Sequence, residues 1–162
     1  MLKPTLLEFF ARGMPETFLF IFAAYAFSKN ELNLRRYLLS SVLFAVLSYV
    51  IRLLPIQYGL NTILSVIVFI TLIIKINKID IVKAIKSGIA IVILELICEW
   101  INIFIIKYLF KADINFVFND PTLKILYGIP SLLIFGCIIA IYYFILLKRK
   151  ELKSFTDGEV VQ

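Results

Sequence analysis

The stretch Gly88–Lys107, GIAIVILELICEWINIFIIK, is long and apolar enough to cross a lipid bilayer, yet it contains Glu95, Glu99 and Asn102. These three residues are spaced at i, i+4 and i+7, so on a helix they share one face. An ionisable side chain at mid-membrane costs about 2.5–3.5 kcal/mol on insertion scales. Two carboxylates on one face therefore predict that this face contacts protein or a wet cavity, with the other helices arranged around it.

The composition is that of a membrane protein. Apolar residues make up 62% of the 162 residues and charged residues 17%, with a mean hydropathy of +0.98; soluble domains have about 45–50% and 25%. The net charge of +6 does not indicate nucleic-acid binding, because Lys and Arg cluster beside the ends of apolar runs, where positive charge sets topology. We expect an all-α, polytopic membrane domain over residues 1–150 and a short cytoplasmic tail over residues 151–162.

Several kinds of catalytic site are excluded by the residue types present. The sequence has no histidine, and its two cysteines, Cys98 and Cys137, each lie within an apolar run. The lack of histidine excludes a Ser-His-Asp triad, a Cys-His dyad and a His-ligated zinc. Gly-rich phosphate loops and the H-E-x-x-H and G-x-S-x-G motifs are absent as well. We expect a non-enzymatic protein without a cofactor or a metal centre.

Apolar runs and turn signals predict about five transmembrane helices. Pro15 predicts a kink near Arg12 in the first span, and Pro130 predicts one in the last. Whether residues 2–12 cross the membrane or lie on its surface is open from the sequence, and an amphipathic segment, Ile81–Lys86, leads into the fourth span. The predicted spans are Thr5–Phe27, Tyr37–Leu54, Leu60–Ile74, Gly88–Lys107 and Thr122–Leu147.

The distribution of basic residues predicts the orientation. With five spans, eleven of the 17 Lys and Arg residues fall on one side of the membrane and six on the other. The side richer in Lys and Arg is normally cytoplasmic. The N-terminus is therefore expected outside and the C-terminus inside.

This topology gathers charged side chains in the outer half of the membrane. An arginine fork can donate two hydrogen bonds to a carboxylate, so we expect Arg12 and Arg52 to pair with Glu95 and Glu99 around an outward-opening cavity. The full predicted cluster, with its amides, is Glu8, Arg12, Glu16, Arg52, Asn61, Glu95, Glu99 and Asn102.

Three interpretations of this cluster are open. The first is that it only joins the helices, as interhelical polar contacts commonly do. The second is a cavity for a small ligand, a peptide or a transport substrate at the outer face. The third is proton or cation coupling through Glu95 and Glu99, because buried carboxylates mark such pathways.

Three segments carry a resemblance to a known family: ARGMPETFLFIFAAYAF (11–27), RYLLSSVLFAVLSYVIRLLPIQYGLNTIL (36–64) and INKIDIVKAIKSG (76–88). They resemble the N-terminal membrane region of peptide-sensing histidine kinases of low-GC Gram-positive bacteria, over the chain to about Leu147. Those kinases continue into a phospho-accepting histidine helix and an ATP-binding domain, which this sequence does not contain. The resemblance implies a stand-alone, sensor-like module in a bacterial plasma membrane that acts through a partner.

The sequence thus favours a sensing or regulatory membrane protein that works with a membrane partner such as a sensor kinase. The alternative is the substrate-binding membrane subunit of a transport system, with Glu95 and Glu99 lining the site. A third class, a structural or assembly factor, predicts that removing both carboxylates damages folding and nothing else. The proteins that co-purify would separate the first two classes, because a transport subunit binds an energising ATPase.

Overall fold

The computed structural model describes residues 9–54, 58–108 and 121–152. These residues form helices joined by short connections, and no β-strand occurs among them. The all-helical class predicted from the sequence is confirmed for this part of the chain. The elements are a π-helical turn, Phe9–Gly13, followed by α1, Met14–Ser28, α2, Leu34–Leu53, α3, Tyr58–Lys75, α4, Ile81–Tyr108, and α5, Pro121–Lys148.

Three of the described helices are long and apolar enough to cross a membrane: α2, α4 and the Ile125–Lys148 part of α5. This identifies the chain as a membrane protein by length and composition. Helix α1 has 15 residues, and the apolar helix Gly59–Lys75 within α3 is also short, whereas a membrane-spanning helix needs about 20. Three of the five predicted spans therefore coincide with helices that are long and apolar enough to cross a membrane.

Helix boundaries follow the local signals in the sequence. Pro15 lies in the first turn of α1, directly after the π-helical turn, and the irregularity expected near Arg12 is a change from π- to α-helix. The amphipathic segment and the fourth predicted span form one continuous helix, α4. Helix α5 continues through Pro130. The predicted start of the first span, Thr5, lies outside the described residues.

Helix α1 has the central position in the bundle. It packs against α2, α4 and α5, and Ile21, Tyr25 and the alanines Ala23, Ala24 and Ala26 are fully enclosed. Small side chains let neighbouring helices approach closely. Helix α1 is therefore the most enclosed of the described helices. Helix α4 also packs against three helices, α1, α3 and α5, and Gly88, Ile91 and Asn102 on its predicted protein-facing stripe are buried.

Contacts between distant residues define the two ends of the bundle. At one end, called the Arg12 end, Arg12 contacts Glu99 of α4. At the other, called the Lys29 end, Lys29 contacts Glu151 beyond α5. The Arg52–Glu16 contact places the end of α2 at the Arg12 end, and the Tyr25–Asn77 hydrogen bond places the end of α3 at the Lys29 end. Consecutive helices therefore run antiparallel.

A buried network of hydrogen bonds joins the chain segments at the Lys29 end. Asn77, in the turn between α3 and α4, is fully buried. Its Oδ1 accepts hydrogen bonds from the Tyr25 hydroxyl at 3.0 Å and from the Ser40 hydroxyl at 3.2 Å. The turn after α3 is thereby attached to α1 and α2, so both ends of the bundle are held by side-chain contacts between helices.

Candidate functional site

Five charged side chains converge at the Arg12 end and are called here the charged cluster. The π-helical turn, α1 and α2 each contribute one of them, and α4 contributes two. The antiparallel packing brings these segments together although they are far apart in sequence. The cluster consists of Arg12, Glu16, Arg52, Glu95 and Glu99; Glu8, the other carboxylate predicted for it, lies outside the described residues.

Arg12 joins three segments. Its Nη2 donates to Oε1 of Glu99 on α4 at 3.2 Å, the pairing that the charge pattern predicts. Its guanidinium also lies against Gly128 of α5, where an added Cβ would be only 3.0 Å from Nη1. The missing side chain at Gly128 therefore provides the space that Arg12 occupies between α4 and α5.

Arg52 pairs with a different carboxylate from the one expected. Its Nη2 donates to Oε1 of Glu16 at 3.1 Å, so the expected pairing of Arg52 with Glu95 or Glu99 is wrong. Glu16 lies in the first turn of α1, which packs against α2, and it is 8% exposed. Its position on the central helix puts it within reach of α2, whereas Glu99 is bonded to Arg12.

Glu95 has no hydrogen bond or salt bridge to any described residue, although it is half-buried and acted on electrostatically by all four other members of the cluster. It lines a cavity of about 10 Å³, which is room for about one water molecule. A glutamate without a hydrogen-bond or salt-bridge partner in the described part of the chain therefore lines a water-sized space in the bundle. The cavity is lined by Arg12, Glu16, Phe20, Glu95, Cys98, Glu99, Ser131, Leu132 and Phe135.

The Asn102 side-chain amide donates a hydrogen bond to the backbone of α5, close to Pro130. Its Nδ2 donates to the carbonyl of Tyr127 at 2.7 Å, and the Ser131 hydroxyl donates to the carbonyl of Gly128 at 2.7 Å. Pro130 lacks the N–H that would continue the helical hydrogen bonds. That N–H would have donated to the carbonyl of Leu126, and the two side-chain donors add hydrogen bonds at the next two carbonyls. The buried Oδ1 of Asn102 is left without a partner among the described residues.

The other predicted amide, Asn61, lies near the start of α3. Its Oδ1 is enclosed and has no hydrogen-bond partner among the described residues. The structure therefore shows no bond from Asn61 to the charged cluster in the part of the chain it describes.

Two members of the cluster reach the outer surface of the bundle. The side chains of Arg52 and Glu99 are 42% and 44% exposed, and the neighbouring Trp100 is 74% exposed. Charged residues within membrane spans normally face the bundle interior or a water-filled cavity. Half-exposed charges between apolar helices therefore need water or another protein beside them.

Two contributors from α5 were missed from the sequence. Gly128 makes room for Arg12, and Ser131 lines the cavity. The sequence does contain a signal, since glycine, proline and serine interrupt an otherwise apolar helix at 128–131. That interruption indicates an irregular helix, but not that its small residues face the charged cluster. Among the described residues, no group of three or more His, Cys, Asp or Glu side chains could hold a metal ion.

No protein-family model matches the chain, and no curated protein or solved structure matches it. The interpretation of the charged cluster therefore rests on its geometry and on the physical chemistry of its groups.

Proposed function

We propose that this protein is a small, non-enzymatic membrane protein with a sensing or regulatory role, which acts through a second membrane protein. The observation that carries this proposal is the half exposure of Arg52 and Glu99. A cluster that served only to join helices would be enclosed, because charges beside hydrocarbon are costly. A partner or a ligand that covers these two side chains would supply the missing polar contacts.

A five-span topology fits the packing. The π-helical turn and α1 together cover residues 9–28, about the length that a span needs, and α1 and α3 alternate in direction with the three longer helices. The Lys29 end is the basic one, so we assign it to the cytoplasm of a bacterial plasma membrane, with the N-terminus outside and the C-terminus inside. Its described basic residues are Lys29, Arg35, Arg36, Lys75, Lys78, Lys83, Lys86, Lys148, Arg149 and Lys150.

This topology is tested by cysteine labelling in a background with Cys98→Ala and Cys137→Ala. Lys107→Cys at the end of α4 should react with a membrane-impermeant maleimide on intact cells. Glu31→Cys, between α1 and α2, should react only after permeabilisation. Labelling of both from the same side would refute the antiparallel crossing of the membrane.

The partner is tested by site-specific photo-crosslinking in the native membrane. A photoreactive amino acid in place of Trp100, beside the charged cluster, should give one defined crosslinked protein, identified by mass spectrometry as a kinase or response protein. The matched control is the same amino acid in place of Phe144, which is 67% exposed in the other half of the bundle. Glu99→Gln should reduce the Trp100 crosslink but leave the purified protein folded.

If Trp100 and Phe144 crosslink only to lipid, or to the same abundant proteins, the charged cluster has no partner and the proposal fails. A stoichiometric ATPase at the crosslink would instead favour the alternative, the substrate-binding membrane subunit of a transport system. We place that alternative second because the cavity of about 10 Å³ is far smaller than the roughly 300–1,000 Å³ of ligand pockets.

A further inference from the structure

We propose that Glu95 is a binding site for one positive charge, a proton or a water-sized monovalent cation, within the charged cluster. This inference goes beyond the proposed function, because the uptake of a charge at this site needs no partner protein. It follows from the charge balance, the position of Glu95 and the cavity that it lines.

The described charges of the cluster do not balance. Three carboxylates, Glu16, Glu95 and Glu99, face two guanidinium groups, Arg12 and Arg52. Each guanidinium is bonded to one carboxylate, at 3.2 Å and 3.1 Å. The remaining negative charge belongs to Glu95, which makes no hydrogen bond or salt bridge among the described residues.

Glu95 is also the carboxylate of the cluster that lies farthest from the ends of its helix. It lies close to the midpoint of α4, whereas Glu99 is one turn nearer the Arg12 end and 44% exposed. An ion removed from water without a partner loses its hydration, which is unfavourable. One bound positive charge would offset that loss, while leaving both salt bridges in place.

The surroundings of Glu95 suit a small cation or a protonated acid. The cavity of about 10 Å³ admits about one water-sized species, which excludes an organic ammonium ligand. Oxygen atoms are the ligands that hard cations prefer, and Glu99 and Ser131, whose side chains carry oxygen, are among the residues that line the cavity. One turn beyond Glu99 on the same face, Asn102 is 7% exposed and its Oδ1 has no described partner.

The charged and neutral side chains around Glu95 come from the π-helical turn and from helices α1, α2, α4 and α5. Glu16 on α1 and Glu99 on its own helix favour the uptake of positive charge, whereas Arg52 on α2 and Arg12 on the π-helical turn oppose it. Helix α5 contributes the neutral groups Ser131, Leu132 and Phe135 to the cavity wall. The sequence of α3 has a single charged residue, Lys75, which lies at the opposite end of the bundle.

The site is tested by infrared spectroscopy of the purified full chain in lipid nanodiscs at neutral pH. A protonated carboxyl group gives a carbonyl stretching band distinct from that of a carboxylate. If Glu95 holds a proton, the wild type shows this band in both choline chloride and sodium chloride, and Glu95→Gln loses it. The matched control, Glu31→Gln in the exposed connection after α1, keeps the band.

The comparison of choline chloride with sodium chloride distinguishes a bound proton from a bound metal cation. If the site holds a metal cation, the band appears in choline chloride and disappears as sodium chloride is added, and sodium raises the melting temperature of the wild type but not of Glu95→Gln. Potassium chloride in place of sodium chloride reports the size selectivity of the site.

Two outcomes overturn the inference. One is a wild-type spectrum without the band in either salt, together with a melting temperature that sodium and potassium leave unchanged. The other is a band that persists in Glu95→Gln. Should Glu95→Gln not fold, Glu95→Met makes the same comparison with an apolar side chain, and the wild-type spectra still decide whether any positive charge is bound.

Discussion

Adding one methyl group at Gly128 should break the contact between Arg12 and Glu99. A Cβ at this position would lie 3.0 Å from Nη1, 3.1 Å from Cζ and 3.3 Å from Nε of Arg12. Ordinary van der Waals contacts are about 3.5–4.0 Å, so the guanidinium must move by about 0.5 Å. The hydrogen bond to Glu99 is already 3.2 Å long, so a movement of this size away from Oε1 takes it beyond hydrogen-bonding distance.

Whether Gly128→Ala raises or lowers the free energy of unfolding should depend on the presence of the Arg12 side chain. Alanine in a helix interior is more stable than glycine by about 0.5–1 kcal/mol. A lost hydrogen bond to a charged group costs about 1.5–3 kcal/mol, and the exposure of Glu99 reduces this to about 1–2 kcal/mol. We expect Gly128→Ala to destabilise the wild type by about 0.5–1 kcal/mol and to stabilise Arg12→Ala by a similar amount.

The measurement is the free energy of unfolding in mixed micelles, followed by the fluorescence of Trp100, the single tryptophan in the sequence. Gly136→Ala is the matched control in the same helix, because its Cβ would meet Leu19 at 3.3 Å instead of a charged group. Its effect should be equal in the wild type and in Arg12→Ala. If Gly128→Ala also has equal effects in the two backgrounds, Arg12 does not occupy the space at Gly128 and the described geometry is wrong.

The two remaining predictions concern the other salt bridges. Arg52→Glu should destabilise the protein by about 1–3 kcal/mol, and adding Glu16→Arg should restore the yield of monodisperse protein; a better rescue by Glu99→Arg would contradict the observed pairing. At the Lys29 end, Glu151 and Lys29 lie 2.6 Å apart; the hydrogen bond from Lys29 lowers the pKa of Glu151, and that bond raises the pKa of Lys29. The pair therefore stabilises the fold between the ordinary pKa values of 4.5 and 10.5, and its contribution is lost as pH falls through the lowered value or rises through the raised one. The difference in melting temperature between the wild type and Glu151→Gln should follow this window and vanish in 1 M salt, as expected for an exposed pair; a difference independent of pH and salt would show that the charges are not responsible.

The sequence was sufficient for the helical membrane class and for part of the charged cluster. The Arg12–Glu99 contact could be predicted, because opposite charges within apolar spans must find each other to avoid the cost of isolation. The choice between Glu16 and Glu99 as the partner of Arg52 could not, because it depends on which helix is central. Charge complementarity restricts the pairs, and helix packing selects among them.

The buried Asn77 shows a second limit of prediction. Its segment, 75–80, has the polar and basic character of a short cytoplasmic loop, yet Asn77 bonds Tyr25 and Ser40 within the bundle. Composition places a loop at the membrane surface but does not show which of its polar side chains turns inward. That choice depends on the polar groups that α1 and α2 present at the same depth.

The central position of α1 could not be predicted from hydropathy. Lipid tails are as apolar as leucine, so hydropathy does not distinguish lipid-facing from protein-facing positions. Residue size does distinguish them. On α2 the buried face consists largely of Ser40, Ser41, Ala45 and Ser48, with Phe44 and Ile51, whereas Leu38, Leu39, Val42, Leu43 and Val46 face outwards. The same rule explains the enclosed alanines of α1 and the buried Ala84, Ser87 and Gly88 on α4. On these three helices small and polar side chains mark much of the buried face, whereas α3 and α5 bury large apolar side chains such as Phe69, Ile73, Phe135 and Ile139. The charged cluster continues the interior face of α1, α2 and α4 towards the Arg12 end.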